Sequence, residues 1–576
     1  MGPVPSGVPM ISPKLTPSLL MILICGLWAV ALPAAADSSH VRVIRLSLVQ
    51  GDVRVARDFH GDSLADPSTV WETAEANLPI RQGYALATDN GRAEVEFENG
   101  AMAFLKENTV LEFYDLSLKD GARTTRLVLR QGSAAFYVNP ENGDYFSVTG
   151  GDFTVEAATR STFRLDNYDD GSTVETMKGH VTVLHKNETK RIDKGQSLSM
   201  KAGDDDSINV GRLAEEDDFD HWVSGRVDSV ATATNAALQY TGSPYYASGF
   251  ADLYTYGAFS SCGAYGFGWR PFGVGFGWSP FTAGQWIWDP AFGWTWMSAQ
   301  PWGWAPYHYG GWLFDSSCGG WFYSPPLFYG NPGGPRTRFP RGVHPPHPLY
   351  RPVTGVFVRN NGKLGIVPMH PLDEKGKTPL NLGHGVFAPV FGKGVSEPIT
   401  ALEPGQKWET VKSLPREALR SGLAATTPPV HVSRTVVEGS SGARVISLGK
   451  DSSIAYDPRE RRFVNSTASG ESSTAHAGEA TSAKGQARVA EGEHASNAPA
   501  RTTEPLASRS ATSAPPARTV TPPPAPRYSG GERGSSGGGS GRSSGSAASS
   551  GTSAARSSSP SSSSGAASHP AGGKPH

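Results

Sequence analysis

Hydrophobic and polar residues alternate along residues 41–200, which places successive side chains on opposite faces of extended strands. The runs VRVIRLSL, RAEVEFENGAMAFL and STVETMKGHVTVL are examples, and such runs are rich in Val, Phe, Tyr or Thr. Asn-Gly and Asp-Gly pairs separate the runs and suit tight hairpins, because these residues adopt positive φ readily. The pattern predicts a mainly β chain whose first domain, 41–200, is an antiparallel sandwich or barrel of about ten short strands.

The periodicity changes at residues 213–237. Apolar residues there recur at helical spacing, and Asp217 and Asp218 stand at the start, where carboxylates favour a helix N-terminus. The apolar face consists of Phe219, Trp222, Val223, Val227 and Val230. We therefore predict a single amphipathic helix that links the β domain to the second half of the chain.

Aromatic residues dominate residues 245–330. Ten of the fourteen tryptophans of the chain lie between Trp269 and Trp321. The segment GWSPF at 277–281 returns as GWAPY at 303–307, and in both copies a Gly and a Trp follow at the same offsets. Frequent Pro and Gly make short strands and turns more probable than helices. The sequence predicts a repeat domain whose units stack on one another.

The rings of this block have two interpretations. They form the core of a domain that is poor in Leu, Ile and Val, or they form a core together with an exposed face that stacks on sugar rings or Pro-rich peptides. Residues two apart on a strand point the same way, so Trp pairs at that spacing are the best candidates for a flat platform. The candidate binding face comprises Trp286, Trp288, Trp294, Trp296, Trp302, Trp304, Tyr307 and Trp312.

The last part of the chain changes composition twice. Residues 331–352 are rich in Pro and predict a stiff linker. Residues 353–464 contain a few strand-like pieces and predict a small irregular β region. Residues 465–576 consist mainly of Ser, Gly, Ala, Pro and Thr. Such a composition cannot bury enough apolar surface to offset the ordering entropy, so we predict a disordered tail that acts as a spacer.

The first 36 residues resemble an export signal. An uncharged run, LTPSLLMILICGLWAVAL, follows Lys14 and ends at small residues. Cleavage after Ala36 would make Asp37 the mature N-terminus, and an uncleaved membrane anchor is the alternative. Translation could start at Met1 or at Met10. We expect a periplasmic or secreted protein that touches the membrane only through this signal, if it stays uncleaved.

Export determines which cysteines remain in the mature chain and whether they can form a disulfide. Removal of the signal takes away Cys25 and leaves Cys262 and Cys318, an even pair in an oxidising compartment. A disulfide between them would close a loop around the aromatic block, and two buried thiols are the alternative. Two cysteines with no flanking His pair make a weak case for zinc.

Charge and motifs indicate little chemistry. The net charge is −1, so no global field attracts the chain to nucleic acid. The motifs of hydrolases, zinc proteases and nucleotide-binding loops are missing from the sequence. Glu94, Glu96 and Glu98 share one strand face by alternation, which we interpret as a solvated face. We expect no catalytic residue, no bound metal and no cofactor.

One set of residues in the β domain resembles the FecR domain, the periplasmic β-rich module of bacterial iron-citrate signalling. The likeness covers about residues 45–200. It is carried by Asn77-Leu78-Pro79-Ile80, Gly83, Leu86, Thr88, Gly91-Arg92-Ala93-Glu94-Val95, Gly100, Leu105, Gly132, Phe153, Val155, Phe163, Val174, Gly179, Val181 and Lys194-Gly195-Gln196. The aromatic block resembles the Trp-rich uncharacterised domain that often follows FecR-like domains in exported bacterial proteins.

The resemblance implies contacts with other molecules and no reaction. Family members in iron signalling carry a cytoplasmic segment that acts on a sigma factor, then a membrane span, then the periplasmic domain. In this chain a signal-like N-terminus stands in place of the cytoplasmic segment. We therefore expect a non-catalytic envelope protein that binds a protein partner as a scaffold. Binding of polysaccharide or peptidoglycan by the Trp platform is the alternative, and sigma-factor signalling is a further one.

Overall fold

A computed structural model shows the architecture of most of the chain. It describes Gly2 and residues 41–60, 64, 66–203, 208–241, 247–262, 265, 267–326, 348–374, 377–384, 388–390, 407–419, 422–435, 437–438, 446–447 and 454–465. The proposed signal with its cleavage site at Ala36 and Asp37, most of the Pro-rich linker and the predicted disordered tail lie outside these residues. No helix among the described residues is long and apolar enough to cross a membrane.

The predicted mainly β, antiparallel fold is confirmed, and the first domain holds more strands than expected. Its sixteen strands are β1 (Ile44–Ala56), β2 (Trp71–Thr73), β3 (Pro79–Ile80), β4 (Ala85–Glu96), β5 (Met102–Leu105), β6 (Thr109–Asp115), β7 (Leu118–Lys119), β8 (Ala122–Val138), β9 (Tyr145–Gly150), β10 (Phe153–Glu156), β11 (Ser161–Tyr168), β12 (Gly171–Lys178), β13 (His180–His185), β14 (Glu188–Asp193), β15 (Gln196–Lys201) and β16 (Asn209–Arg212).

The long strands β1, β4 and β8 organise this domain. Strand β1 pairs with β4, and β8 pairs with β5, β6 and β11, all antiparallel; β8 and β9 run parallel. One face of the strands carries the core, with Leu46, Val95, Phe136 and Phe163 among the fully buried side chains. The alternation read from the sequence therefore reflects strands whose apolar face forms this core.

The linking helix is α1 (Asp218–Thr241), which starts and ends a few residues later than the predicted 213–237. Asp217 caps it: the backbone N–H of Asp220 donates to the Asp217 carboxylate, and the N–H of Asp217 donates to the Asp220 carboxylate, both at 3.0 Å. Such reciprocal bonds satisfy amides that a helix start leaves unpaired. The predicted apolar face packs against β5 and β8 through Phe219, Trp222, Val223, Val227 and Val230.

The aromatic block contains two helices where only strands and turns were predicted. They are the short α2 (Phe250–Tyr256) and α3 (Trp304–His308). The strands are β17 (Gly257–Ser261), β18 (Phe267–Pro271), β19 (Gly284–Asp289), β20 (Gly293–Ser298), β21 (Gly311–Asp315) and β22 (Gly320–Ser324). One sheet has the order β17-β18-β22-β21, and β19 with β20 forms a separate hairpin. Trp304 therefore stands on a helix, so the predicted strand pair of Trp302 with Trp304 is wrong.

The predicted boundary between an aromatic domain ending at 330 and a β region starting at 353 is also wrong. Val353, Leu364 and Ile366 belong to the same buried cluster as the aromatic rings, because the block has too few aliphatic side chains to complete a core itself. The strands after 353 are β23 (Gly355–Asn360), β24 (Lys363–Pro368), β25 (Ala388–Pro389), β26 (Glu409–Thr410), β27 (Ala425–Thr426), β28 (Val437–Glu438), β29 (Ile446–Ser447), β30 (Ile454–Asp457) and β31 (Arg462–Asn465).

Candidate functional surfaces

The tryptophans form a core, and the predicted exposed face is wrong for seven of its eight residues. Trp304 and Trp312 are 0% exposed. Trp286, Trp294, Trp296, Trp302 and Tyr307 are also buried, at 7% or less, and Trp288 is half-buried. Edge-to-face contacts join the rings: the centroids of Trp286 and Trp296 lie 5.0 Å apart, and those of Trp269 and Trp302 lie 5.3 Å apart. Large aromatic rings here supply the buried apolar surface that Leu and Ile supply in most cores.

The hairpin β19–β20 explains why the platform is covered. Trp286 pairs across the ladder with Trp296, so the two rings share one face, and that face packs on Phe357 of β23, 5.0 Å from Trp286. The opposite face carries Ile287 and Met297, which are buried in the core of the first domain. Both faces of the hairpin are therefore internal.

Among the described residues, the aromatic rings that are exposed belong to Tyr and Phe. Tyr240 at the end of α1 stacks on Phe259 of β17 at 4.5 Å, and Phe267 of β18 meets Tyr240 edge-on at 5.6 Å. Phe267 is 46% exposed. Tyr254 on α2 and Phe272, just after β18, are also exposed. We call Tyr240, Phe259 and Phe267 the aromatic surface cluster; it flanks β17, the edge strand of its sheet.

Cys262 and Cys318 are joined by a disulfide, with their Cα atoms 5.7 Å apart. The bridge links the end of β17 to the turn before β22 and packs against Leu313 and Phe322. A carboxylate oxygen of Asp315 lies within 4.8 Å of both sulfurs. Since the sulfurs are bonded to each other, they offer no thiolate to a metal ion.

Buried ion pairs join the first domain to the aromatic block. The Arg45 guanidinium donates to Glu96 at 2.6 Å and lies 2.7 Å from the carboxylate of Asp252 on α2. Arg226 of α1 donates to Glu94 at 2.6 Å. Glu94 and Glu96 are each 1% exposed, so the solvated face predicted for them is wrong: α1 and α2 cover it. Burial raises the pKa of Asp252 to about 6, against the opposing charge of Arg45.

A second set of bonds joins the same two parts at the hairpin. Arg81 donates to Asp289 at 2.7 Å. The side-chain amide of Asn77 donates to the backbone carbonyls of Ser298 at 3.1 Å and Gln300 at 2.8 Å. The Asn77-Leu78-Pro79-Ile80 motif of the sequence thus lies at the joint between the domains.

A charged cleft of about 510 Å³ lies between β11 and the residues just before α1. Arg164 of β11 donates to Asp166 at 2.9 Å, to Asp217 at 3.0 Å and to Asp220 at 3.2 Å. Burial acts to raise the pKa of Asp217, but Arg164 and Lys106 outweigh it and hold that pKa well below its ordinary value. The cleft thus fixes the start of α1 to the sheet.

The turn between β30 and β31 closes the cleft. Arg461 pairs with Glu175 of β12 and donates to Asp220 at 2.7 Å. Glu175 is 2% exposed, and burial raises its pKa to about 7 against the charge of Arg461. Arg434 lies 4.4 Å above the ring of Tyr168. The carboxylates that line the cleft are about as numerous as its cations, so the cleft has little net charge to attract a ligand. The ion pairs instead connect segments of the chain.

Residues 422–435, which we call the strap, lie along the first domain. Strand β27 within the strap pairs antiparallel with β2, so it adds a strand to that edge. The Arg54 guanidinium donates to the carbonyls of Thr427 at 3.0 Å and Pro428 at 2.6 Å. The strap therefore occupies a groove made by β2 and neighbouring polar side chains.

Comparison with protein families finds one match in the first domain and one in the aromatic block. The FecR protein family matches residues 84–182, inside the sheet domain described above. The chain carries a FecR domain. A family of unknown function, DUF6600, matches residues 250–373, which runs from α2 past β24. This second range includes Val353, Leu364 and Ile366, in agreement with the shared core. No curated protein matches the chain.

Among solved structures, the chain is similar to two crystal structures of a protein described as an anti-sigma factor from Parabacteroides distasonis ATCC 8503. The identity is 18% and the TM-score 0.20 in both. The match covers 22% of this chain and 59% of the first neighbour, and 27% and 67% for the second. The chain thus spans little more than half of the first neighbour, and at this TM-score the likeness supports no conclusion about function.

Sequence reasoning missed the cleft, the joint and the groove. Asp217 gave a signal as a helix start, and Asn77 belonged to the FecR motif. Gln131 and Arg461 lie in segments whose pattern shows nothing unusual, and they meet their partners only through contacts between residues far apart in the chain.

Proposed function

We propose that this chain is a non-catalytic, exported protein of the bacterial envelope that binds other proteins through its FecR and DUF6600 domains. The observation that carries the proposal is the aromatic surface cluster beside the edge strand β17. Tyr and Phe rings at a surface offer a large contact area and lose little conformational entropy on binding, and they are enriched in protein interfaces. An edge strand adds unpaired backbone groups to such a surface.

The buried joint supports a scaffold role. Arg45, Arg81 and Asn77 connect the FecR domain to the DUF6600 domain through buried bonds, so the two domains present their surfaces in a fixed arrangement. The polysaccharide alternative rested on an exposed Trp platform, and seven of its eight rings are inside the core. Protein binding therefore has the stronger structural basis.

Site-specific photocrosslinking in living cells tests the proposal. A photoreactive residue at Phe267 would report on the aromatic surface cluster, and one at Leu372, which is 69% exposed and apolar, is the matched control. We expect a discrete protein adduct from position 267 that position 372 does not give. Crosslinks that are equal at both positions, or none in the envelope fraction, would overturn the proposal.

N-terminal sequencing of the exported protein tests the location. We expect a mature chain that starts at Asp37 and is found in the periplasm or the medium. A chain that keeps its first residues and stays with the membrane would favour the uncleaved anchor.

A FecR-type signalling role is the second candidate, and the family match at 84–182 favours it. Deletion of the gene would then change the transcription of genes under one sigma factor. If the deletion leaves the transcript profile unchanged, while the wild type gives the crosslinked complex, the protein acts as a scaffold and not in signalling.

A further inference from the structure

The strap contacts the FecR domain through its backbone between Ala424 and Val430, and through side chains at His431 and Arg434, which lie 3.2 Å from Asp169 and 3.3 Å from Asp170. The N–H of Thr73 on β2 donates to the carbonyl of Ala424 at 2.7 Å. Next to it, Trp71 pairs with Thr426 and Glu72 with Ala425. Addition of an extended segment to a sheet edge is a common mode of peptide recognition, since the ladder bonds supply affinity without demanding particular side chains.

Two buried polar side chains extend the same recognition beyond β2. The amide of Gln131, a residue 4% exposed, donates to the carbonyl of Val430 at 3.1 Å and accepts from the N–H of Val432 at 3.1 Å. A side-chain amide that donates and accepts in this way reproduces the bonds of a neighbouring strand. Arg54, 8% exposed, donates to the carbonyls of Thr427 and Pro428.

Between Ala425 and Val430 most side chains of the strap contribute little. Ala425, Thr427 and Pro428 are exposed, and Val430 is 62% exposed; Pro429 is buried. The groove thus binds an extended backbone and buries one small apolar side chain, that of Pro429.

We propose that the groove formed by β2, Arg54 and Gln131 is a binding site for an extended, uncharged peptide segment of a partner protein, and that the strap occupies this site in cis. The inference rests on the proposed protein-binding function and names the kind of partner that the FecR domain takes. A tethered segment competes at an effective concentration in the millimolar range, so a partner binds only weakly until the strap is released.

A labelled peptide with the strap sequence, residues 422–435, tests this on the full chain by fluorescence anisotropy. The variant Val430→Pro/Val432→Pro lacks the Val432 N–H that donates to Gln131 and the Val430 N–H that donates to the Asp89 carboxylate at 3.5 Å, and it should release the strap. The variant Val430→Ala/Val432→Ala keeps both donors and is the control. We expect the peptide to bind the proline variant about tenfold or more tightly than the wild type or the control.

The same assay identifies the site. In the proline variant, Gln131→Ala should weaken peptide binding about tenfold, and a peptide that carries Val432→Pro should not bind. Equal binding to all chains, or binding that survives Gln131→Ala, would overturn the proposal.

A measurement on the wild type covers the case in which the proline variant does not fold. Excess unlabelled peptide should speed hydrogen exchange at residues 424–432, because it displaces the strap; unchanged exchange contradicts the proposal. A crosslink at Phe267 together with no peptide binding would reject this inference and leave the proposed function standing.

Discussion

Single residues show where a sequence pattern stops being informative. Alternation placed Glu94 and Glu96 on the same strand face, which is correct. It could not show that α1 and α2 cover that face, because the covering residues Arg226 and Asp252 lie more than 100 positions further along the chain. A carboxylate on a regular strand is usually solvated, and here it anchors the joint between two domains.

Arg45 should be one of the most sensitive positions of the chain. Its side chain is 2% exposed and forms ion pairs with both Glu96 and Asp252. Arg45→Met would leave both carboxylates buried without their cation, so we expect the free energy of unfolding to fall by about 3–5 kcal/mol. Urea unfolding would measure it. Arg191→Met, at a 59% exposed ion pair, should cost about 0–1 kcal/mol. Similar losses in the two variants would contradict this account.

Glu175 should make stability depend on pH. Its pKa of about 7 in the folded chain lies above the ordinary value of 4.5, so the folded state binds an extra proton between these pH values. The free energy of unfolding from this group is therefore highest in acid and falls as the pH rises through 7, by about 3 kcal/mol at most. Asp252 acts in the same direction at lower pH.

Urea unfolding between pH 6.5 and 8 isolates the contribution of Glu175. The decline in stability should be shallower in Glu175→Gln than in the wild type. Glu188→Gln removes a carboxylate that is 67% exposed and should leave the slope unchanged. An identical slope in all three proteins would show that Glu175 does not titrate in this range.

At the scale of elements, the sequence predicted the strands and α1 well and the role of the Trp repeats incompletely. Period-two alternation and helical spacing follow from local geometry, so they identified the sheet and the face of α1. The repeat GW-x-P leads in one copy to the hairpin β19–β20 and in the other to α3 and β21. Identical local motifs thus have different structures, because the surrounding core decides which conformation buries the rings.

Trp fluorescence tests whether the rings form the core. With Trp269, Trp304 and Trp312 fully buried, native emission should be blue and poorly quenched by acrylamide. The double variant Cys262→Ser/Cys318→Ser should keep this emission while folded, and it should lose up to about 4 kcal/mol of stability, since the disulfide closes a long loop. Red, strongly quenched emission in the native protein would instead support the interpretation that the Trp rings form an exposed binding face.

At the scale of the molecule, composition suggested separate modules in sequence, and the structure connects them. The strap and the turn at Arg461 return from the C-terminal region to the FecR domain, and the residues after 353 complete the aromatic core. No local sequence pattern predicts these long-range contacts, because neither of the segments that meet has a distinctive pattern of its own.

The hairpin β19–β20 should make the FecR and DUF6600 domains unfold together. Ile287 is 2% exposed in the FecR core, while Trp286 and Trp296 on the other face are buried in the aromatic core. In the wild type, Trp emission and far-UV circular dichroism should report one coincident thermal transition. Ile287→Asp places a charge in the FecR core and should separate the two transitions, whereas Pro290→Asp, at the exposed turn between β19 and β20, should not. Two transitions in the wild type would mean that the joint does not couple the domains.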